Sequence, residues 1–286
     1  MKRKLFLGLA LLLFTTAAYG INDRTIIPVD SELYSYIDSV YTEAGKVPPN
    51  NARPWTAAEM RSAAGRIDPA SLSPTGRDIL TYLFDKLTVE RPWFEEENFA
   101  FRSDPSITVE GFFHQNLSDS TESTPESYEW IHGYEERSPF LNIPFELWYG
   151  RNLYMTTELV GKEEYRSVTS LSTPDVANNY LNILVDDPNV RLDLYFPFQA
   201  VLAAGGEWWS LLFGRDALSW GNGITGNFML SDYSDFYDFV NLSFISESFK
   251  MTSVYAVMDR FLPDGTDIGY SGFLGHRFEL RFFDRI

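Results

Sequence analysis

The sequence contains no cysteine, only three histidines, and no long apolar run after its first twenty residues. The absence of cysteine excludes disulfide bonds and an N-terminal lipid anchor on cysteine. No later stretch approaches the ~18 apolar residues that a membrane helix requires. The histidines match no metal-binding spacing, and no Gly-x-Ser-x-Gly nucleophile motif is present. The sequence therefore predicts neither a metal centre, nor a cofactor, nor an enzyme.

Basic residues are scarce as well. The chain has 23 Lys and Arg against 40 Asp and Glu, with a formal net charge of −17. Such a surface repels nucleic acid and offers no polybasic patch to anionic lipid. Nucleic acid is therefore not an expected partner.

The first twenty residues have the three parts of a secretory signal peptide. A basic start at residues 2–4 precedes an apolar run, Leu5–Phe14, and Ala18-Tyr19-Gly20 has the small-residue pattern of a cleavage site. The apolar run is too short to cross a bilayer by itself. We therefore assign residues 1–20 to a signal peptide and expect an exported chain with a charge of about −20.

Residues 21–91 carry the periodicity of helices. Apolar residues recur at three- and four-residue spacing from Leu33, until Gly45 and two prolines end the pattern. Thr56 and Glu59 have the spacing of a capping box at the start of a second helix. A third helix is predicted from Ser73 to Leu87. These residues are interpreted as a small helical region in the periplasm.

Residues 92–286 show the period-two alternation of strands, with dense aromatics and little lysine. The clearest alternation lies in Val190–Phe196 and Phe278–Phe282, where apolar and charged side chains take opposite faces. Further predicted strands are Ile107–Phe113, Phe145–Gly150, Leu153–Leu159, Asp238–Ile245 and Phe249–Val257. At about 10 residues per tilted strand, this region has room for roughly 10 to 12 strands.

Alternation alone fits both a soluble sandwich and a membrane barrel. Charges of both signs share one face of single strands, as Arg191/Asp193 and Glu279/Arg281 do, which suits a wet lumen. Aromatic residues cluster near strand ends, as they do at bilayer interfaces. The sequence therefore predicts a mainly β fold, an outer-membrane antiparallel β-barrel after a helical periplasmic region. The chain stops at Ile286 without a terminal aromatic, so the barrel is expected to be incomplete.

The candidate ligand residues lie in a Gly-rich, aromatic-rich segment between two strands. Arg215 and Asp216 can form charge-assisted hydrogen bonds to sugar hydroxyls, and Trp220 can stack on a pyranose ring. The alternative is an internal Arg215–Asp216 ion pair that fixes the loop and the strand register, since buried Arg usually satisfies a carboxylate. The nearby Asp232, Asp235 and Asp238 are predicted to lie in a solvated external loop.

With these segments laid out, the chain resembles the Wzi family of capsule assembly proteins. Four segments carry the resemblance: Arg53-Pro54-Trp55, Leu212–Gly223 with its Gly-Arg-Asp and Trp-Gly-x-Gly patterns, Leu230–Asp259, and Leu274-Gly-His-Arg-Phe278. They span most of the mature chain, which matches only the first half to two-thirds of a typical member. The resemblance implies an outer-membrane barrel that retains or organises surface polysaccharide without catalysis.

Three functions remain open from the sequence. The first is a non-catalytic outer-membrane barrel that binds or organises capsular polysaccharide, with the membrane lipid and the barrel assembly machinery as further partners. The second is a porin or channel whose acidic lumen favours cations. The third is a soluble periplasmic β-rich binding protein. The expected location is the outer membrane of a diderm bacterium.

Overall fold

The computed structural model describes most of the chain after the predicted signal peptide. The described residues are 22–49, 52–88, 92–111, 138–163, 181–184, 192–196, 199–221, 223, 227, 229–231, 236–246, 248–261 and 267–280. The signal peptide prediction, Asp232, Asp235, the Arg191 and Arg281 positions and the end of the chain lie outside them.

Three helices form at the positions that the periodicity predicts: α1 (Leu33–Glu43), α2 (Ala57–Ala64) and α3 (Pro74–Lys86), with a short 3₁₀ turn at Pro69–Ser71. The Thr56 hydroxyl accepts the backbone N–H of Glu59 at 3.3 Å. The Ser73 hydroxyl accepts the N–H of Gly76 at 3.1 Å. Both bonds satisfy helix N–H groups that have no partner within the helix. The predicted Thr56 cap of the second helix is thereby confirmed, and the third helix begins at the predicted Ser73.

The helices share one apolar core. Its most buried side chains include Tyr34, Ile37, Val40, Met60 and Leu83, each at most 2% exposed. These positions follow the helical period, so one stripe of each helix turns toward the other two. A two-residue strand pair closes the core at one side, between β1 (Ile26–Ile27) and β3 (Trp55–Thr56).

The rest of the described chain is mainly antiparallel β structure. A twelve-stranded sheet contains β4 (Phe94–Glu96), β5 (Phe99–Arg102), β6 (Ser106–Ile107), β7 (Leu141–Tyr149), β8 (Leu153–Glu163), β9 (Leu181–Leu184), β10 (Leu192–Phe196), β11 (Ala200–Gly205), β12 (Trp209–Asp216), β14 (Tyr237–Ile245), β15 (Phe249–Phe261) and β16 (Asp267–Leu280). A separate pair joins β2 (Ala52–Arg53) to β13 (Ser219–Trp220).

The strand order along the main path is β16-β15-β14-β12-β11-β8-β7-β5-β4, with β10 and β6 pairing beside it. Every pair is antiparallel, so the antiparallel prediction is confirmed. Among the described residues no pairing joins β4 to β16, and no closed barrel is formed. The strand predicted over Ile107–Phe113 is wrong for residues 108–111, because β6 ends at Ile107.

The two faces of the sheet have different surroundings. One face, here the covered face, contributes Trp148, Tyr154, Val201, Leu212 and Phe239 to a buried cluster. The same cluster contains Ile26 and Ala52 from the N-terminal region and Leu218, Trp220 and Leu230 from the segment after β12. The N-terminal region and this segment therefore pack on the covered face. The opposite, exposed face has no such layer among the described residues.

Candidate functional site

Arg215 lies on the exposed face of the sheet and forms an ion pair with a residue of the neighbouring strand. Its Nε and Nη2 donate to the two carboxylate oxygens of Asp238, at 2.7 and 2.8 Å. The two residues stand directly opposite each other in β12 and β14. The guanidinium also lies over the Phe236 ring, 4.5 Å from its centre. This bidentate geometry fixes both the register of the two strands and the direction of the guanidinium.

Asp216 points the other way. Successive residues of a strand alternate between faces, so Asp216 belongs to the covered face, opposite Tyr237. One of its carboxylate oxygens accepts the backbone N–H of Ala217 at 2.7 Å. The predicted Arg215–Asp216 ion pair is therefore corrected: the partner of Arg215 is Asp238. Asp238 is a strand residue and not part of a solvated loop, although its side chain is 54% exposed.

Trp220 is buried in the interior. It is 8% exposed, it pairs with Ala52 through the β13–β2 ladder, and its backbone N–H donates to Leu230 at 2.9 Å. Its ring meets Phe273 edge to face at 6.2 Å. A Cβ on Gly275 would lie 2.8 Å from the Trp220 ring, so glycine provides the space for the indole. This side chain is therefore packed inside the protein.

The segment that carries Trp220 is held by its own polar contacts. Asn227 donates from its amide to the Ser219 hydroxyl at 2.7 Å and accepts the Gly223 N–H at 2.8 Å. Gly221 has φ +146°, and a side chain there would collide with Asn227. The geometry therefore requires glycine at this position. The segment is thereby turned inward against β2.

The structure does not bring the three predicted ligand residues together. Arg215 is on the exposed face, Asp216 is on the covered face, and Trp220 is packed inside. They do not form one binding surface. The structural alternative is also corrected, because the ion pair that fixes the strand register joins Arg215 to Asp238 and not to Asp216.

The N-terminal segment is bonded to the turns at one end of the sheet. The Asn22 amide donates to the carbonyls of Gly150 and Leu153 at 2.9 and 2.8 Å. Arg24 Nη1 donates to the Gly206 carbonyl at 3.0 Å. These carbonyls lie at the short β7–β8 and β11–β12 turns, so this end of the sheet is called the turn end. The segment therefore occupies the covered face beside the turn end.

A charged network, which the sequence reasoning missed, joins the helices to the sheet. Lys250 of β15 forms an ion pair with Glu59 of α2, and both side chains are only 12% exposed. Lys250 stands opposite Glu279 of β16, whose carboxylate is 2.7 Å from Nε of Arg277. The signals available were the two-residue spacing of Arg277 and Glu279 and the single Lys of β15.

Tyr34 links the strand pair to the helical core. Its hydroxyl donates to the Ile27 carbonyl at 3.0 Å and accepts the Trp55 N–H at 2.9 Å. Burial raises the pKa of Tyr34 well above its ordinary value, because the phenolate would lose its hydration. At the surface of the same region, hydrogen bonds from Ser73 lower the pKa of Glu43. Neither group is arranged for acid–base catalysis.

The exposed face carries a continuous apolar row. Register pairs connect one residue from each of nine strands: Phe94, Phe101, Leu147, Met155, Leu202, Phe213, Val240, Tyr255 and Leu274. Seven of them are between 37% and 63% exposed although all nine are apolar or aromatic. We call this set the apolar row. Where the structure describes the side chains of β7 to β16, the polar ones on this face are Thr157, Arg215, Asp238, Ser253 and His276.

Within the part of the chain that the structure describes, no three His, Asp or Glu side chains are grouped to hold a metal ion. No helix in these residues is long and apolar enough to cross a membrane. No family model, curated protein or solved structure matches the chain. The resemblance to the Wzi family stays a prediction.

Proposed function

We propose that this chain is an outer-membrane β-barrel protein with a non-catalytic role in binding or organising surface polysaccharide. The observation that carries the membrane part is the apolar row. In a soluble antiparallel sheet the exposed face is polar and the covered face apolar. Here nine strands expose an apolar row, while the covered face includes Asn241, Ser243, Thr252 and the Lys250–Glu279 pair. Lipid around the sheet accounts for an exposed face that is apolar although the covered face also carries an apolar cluster.

Strand lengths and aromatic positions support the same proposal. The strands β7, β8, β12, β14, β15 and β16 contain 8 to 14 residues, and a tilted membrane strand needs about 9 to 11. At the turn end, Trp208 is 61% exposed and stacks on Phe244, and Tyr149 is 40% exposed. Exposed Trp and Tyr are favoured at the boundary between lipid and water.

A sheet edge in lipid leaves backbone groups without hydrogen bonds, so membrane-spanning sheets close on themselves. We therefore propose that the strands are part of a closed barrel in the membrane. The turn end, which holds the helical region, faces the periplasm, because bacterial barrels have short turns on that side.

The filled covered face favours a binding protein over a porin. Residues from the helical region and the inward segment, among them Ile26, Ala52 and Trp220, occupy the space that a wide aqueous channel needs. The polysaccharide itself is supported by the four segments that resemble the Wzi family. Since Trp220 is enclosed, the ligand surface is expected to lie elsewhere, at the end of the sheet opposite the turn end. This end, here the loop end, carries Arg215 and Asp238.

Membrane fractionation with heat-modifiable gel mobility tests the barrel. We expect the chain in the outer-membrane fraction, with a compact unheated band; extraction by salt alone would contradict it and favour the soluble alternative. Sedimentation of the folded protein with surface polysaccharide from the same cells tests the function. Arg215→Ala should weaken this binding if the loop end is the ligand surface, and Val47→Ala in the helical region is the control. Large stable conductance without polysaccharide binding would favour the porin.

A further inference from the structure

One ion pair crosses between the helical region and the wall of the sheet. Glu59 is in the first turn of α2, and Lys250 is the second residue of β15, 191 positions later. Each side chain is 12% exposed. The Lys250 ammonium also lies 5.7 Å from the centre of the Trp55 ring, which belongs to the helical core. The pair is therefore a direct side-chain connection from β15 to the helices.

Removing one partner would leave a charge with little water around it. Lys250 without Glu59 would keep only Glu279 opposite it, and Glu279 is already beside Arg277. Glu59 without Lys250 would face the sheet as an uncompensated carboxylate. Breaking a shielded ion pair in this way is more costly than replacing both partners by neutral groups.

Beside the ion pair lies a cavity of about 40 Å³, whose lining includes Trp55, Glu59, Arg66, Ser246 and Lys250. This volume admits water molecules, which need about 10–15 Å³ each by the same measure. The cavity lies between α2 and the β14–β15 turn, at the turn end. A charge that loses its partner is therefore hydrated from this cavity, which lies between the helices and the sheet.

We infer that the Glu59–Lys250 ion pair keeps the helical region seated in the sheet, and that breaking it opens a water path along the wall of β15. This inference rests on the proposed barrel. Other contacts support the seating, such as the Arg66 guanidinium on the Ser246 carbonyl at 3.4 Å and the Asn22 bonds to the turns. These contacts end on neutral backbone carbonyls, so their loss leaves no shielded charge unpaired, whereas loss of either ion-pair partner does.

Single-channel recording of the full mature chain in planar bilayers tests the inference. We expect a mostly closed wild type and a rise in open probability of at least about tenfold for Glu59→Ala and for Lys250→Ala. Lys250→Arg retains the charge and should stay closed. Arg61→Ala is the matched control, because Arg61 is on the same helix and its ion pair with Asp23 lies within the N-terminal region. Heat-modifiable mobility verifies folding of every variant.

The double variant Glu59→Gln/Lys250→Met distinguishes loss of the ion pair from separate effects of the two side chains. Because both charges are gone, its open probability should be no higher than that of either single variant. Single variants that stay as closed as the wild type overturn the inference. So does equal opening in Arg61→Ala, or additive opening in the double variant. A wild type that does not insert at all overturns the proposed barrel and this inference with it.

Discussion

The apolar row predicts an asymmetric response to one substitution made at two places. Val240 lies in the middle of the row, between Phe213 and Tyr255, and is 37% exposed. Val47 lies in the helical region and is 49% exposed. In water, Val→Arg at either position leaves the new charge hydrated, so each substitution should change the free energy of unfolding by less than about 0.5 kcal/mol.

In a bilayer the two positions are not equivalent. An Arg on the lipid face of a membrane strand costs about 2–4 kcal/mol near the midplane. Val240 is three residues from the Tyr237 end of β14 and five from the Ile245 end, so it lies well inside the strand. We therefore expect Val240→Arg to lower the free energy of unfolding by about 2–4 kcal/mol, and Val47→Arg to leave it nearly unchanged.

Urea unfolding of the protein in lipid vesicles, followed by tryptophan fluorescence, measures both values. The seven tryptophans include buried residues of the sheet, such as Trp148, which report its unfolding. Equal and small losses at the two positions would refute the lipid-facing assignment of the exposed face. A large loss at Val47 with none at Val240 would refute it as well.

Two further predictions concern the interior. Gly275→Ala should displace Trp220, lower the free energy of unfolding by about 1–3 kcal/mol and shift the tryptophan fluorescence emission to the red. Gly111→Ala is the control, because the space around Gly111 is open. Unchanged emission in Gly275→Ala would contradict the packing of Trp220. Burial raises the pKa of Tyr34 above its ordinary value of 10.0, so its contribution to stability is complete below that pH and is lost as the pH rises beyond it. Raising the pH from about 9 to 11 should therefore lower the free energy of unfolding of the helices less in Tyr34→Phe than in the wild type. Urea unfolding followed by circular dichroism measures both, and equal losses would contradict this.

The local features of the fold could be predicted from the sequence because they depend on neighbouring residues. Thr56 and Ser73 begin helices where their hydroxyls reach N–H groups three residues on. The strands β14 and β15 lie where alternation predicts them. Both kinds of signal report a backbone period, which a short window contains in full.

The partners of the charged residues could not be predicted in the same way. Arg215 and Asp216 are neighbours in sequence, but both belong to β12, whose two-residue period puts them on opposite faces. They are predicted from the sequence to lie in a segment between two strands, so this alternation was not applied to them. Glu59 was expected to complete a capping box, yet its carboxylate reaches Lys250. That partner depends on how the helices sit on the sheet, which no local pattern records.

The bonds of Asn22 and Arg24 also constrain the order in which the molecule can form. Their acceptors at Gly150, Leu153 and Gly206 are 128, 131 and 182 residues further along the chain. Contacts of such long range form late, because the intervening loops must be closed first. Asn22 and Arg24 are thus among the last residues to become ordered. The helices can assemble locally beforehand, but the surface on which they pack exists only after the β7–β8 and β11–β12 hairpins have formed.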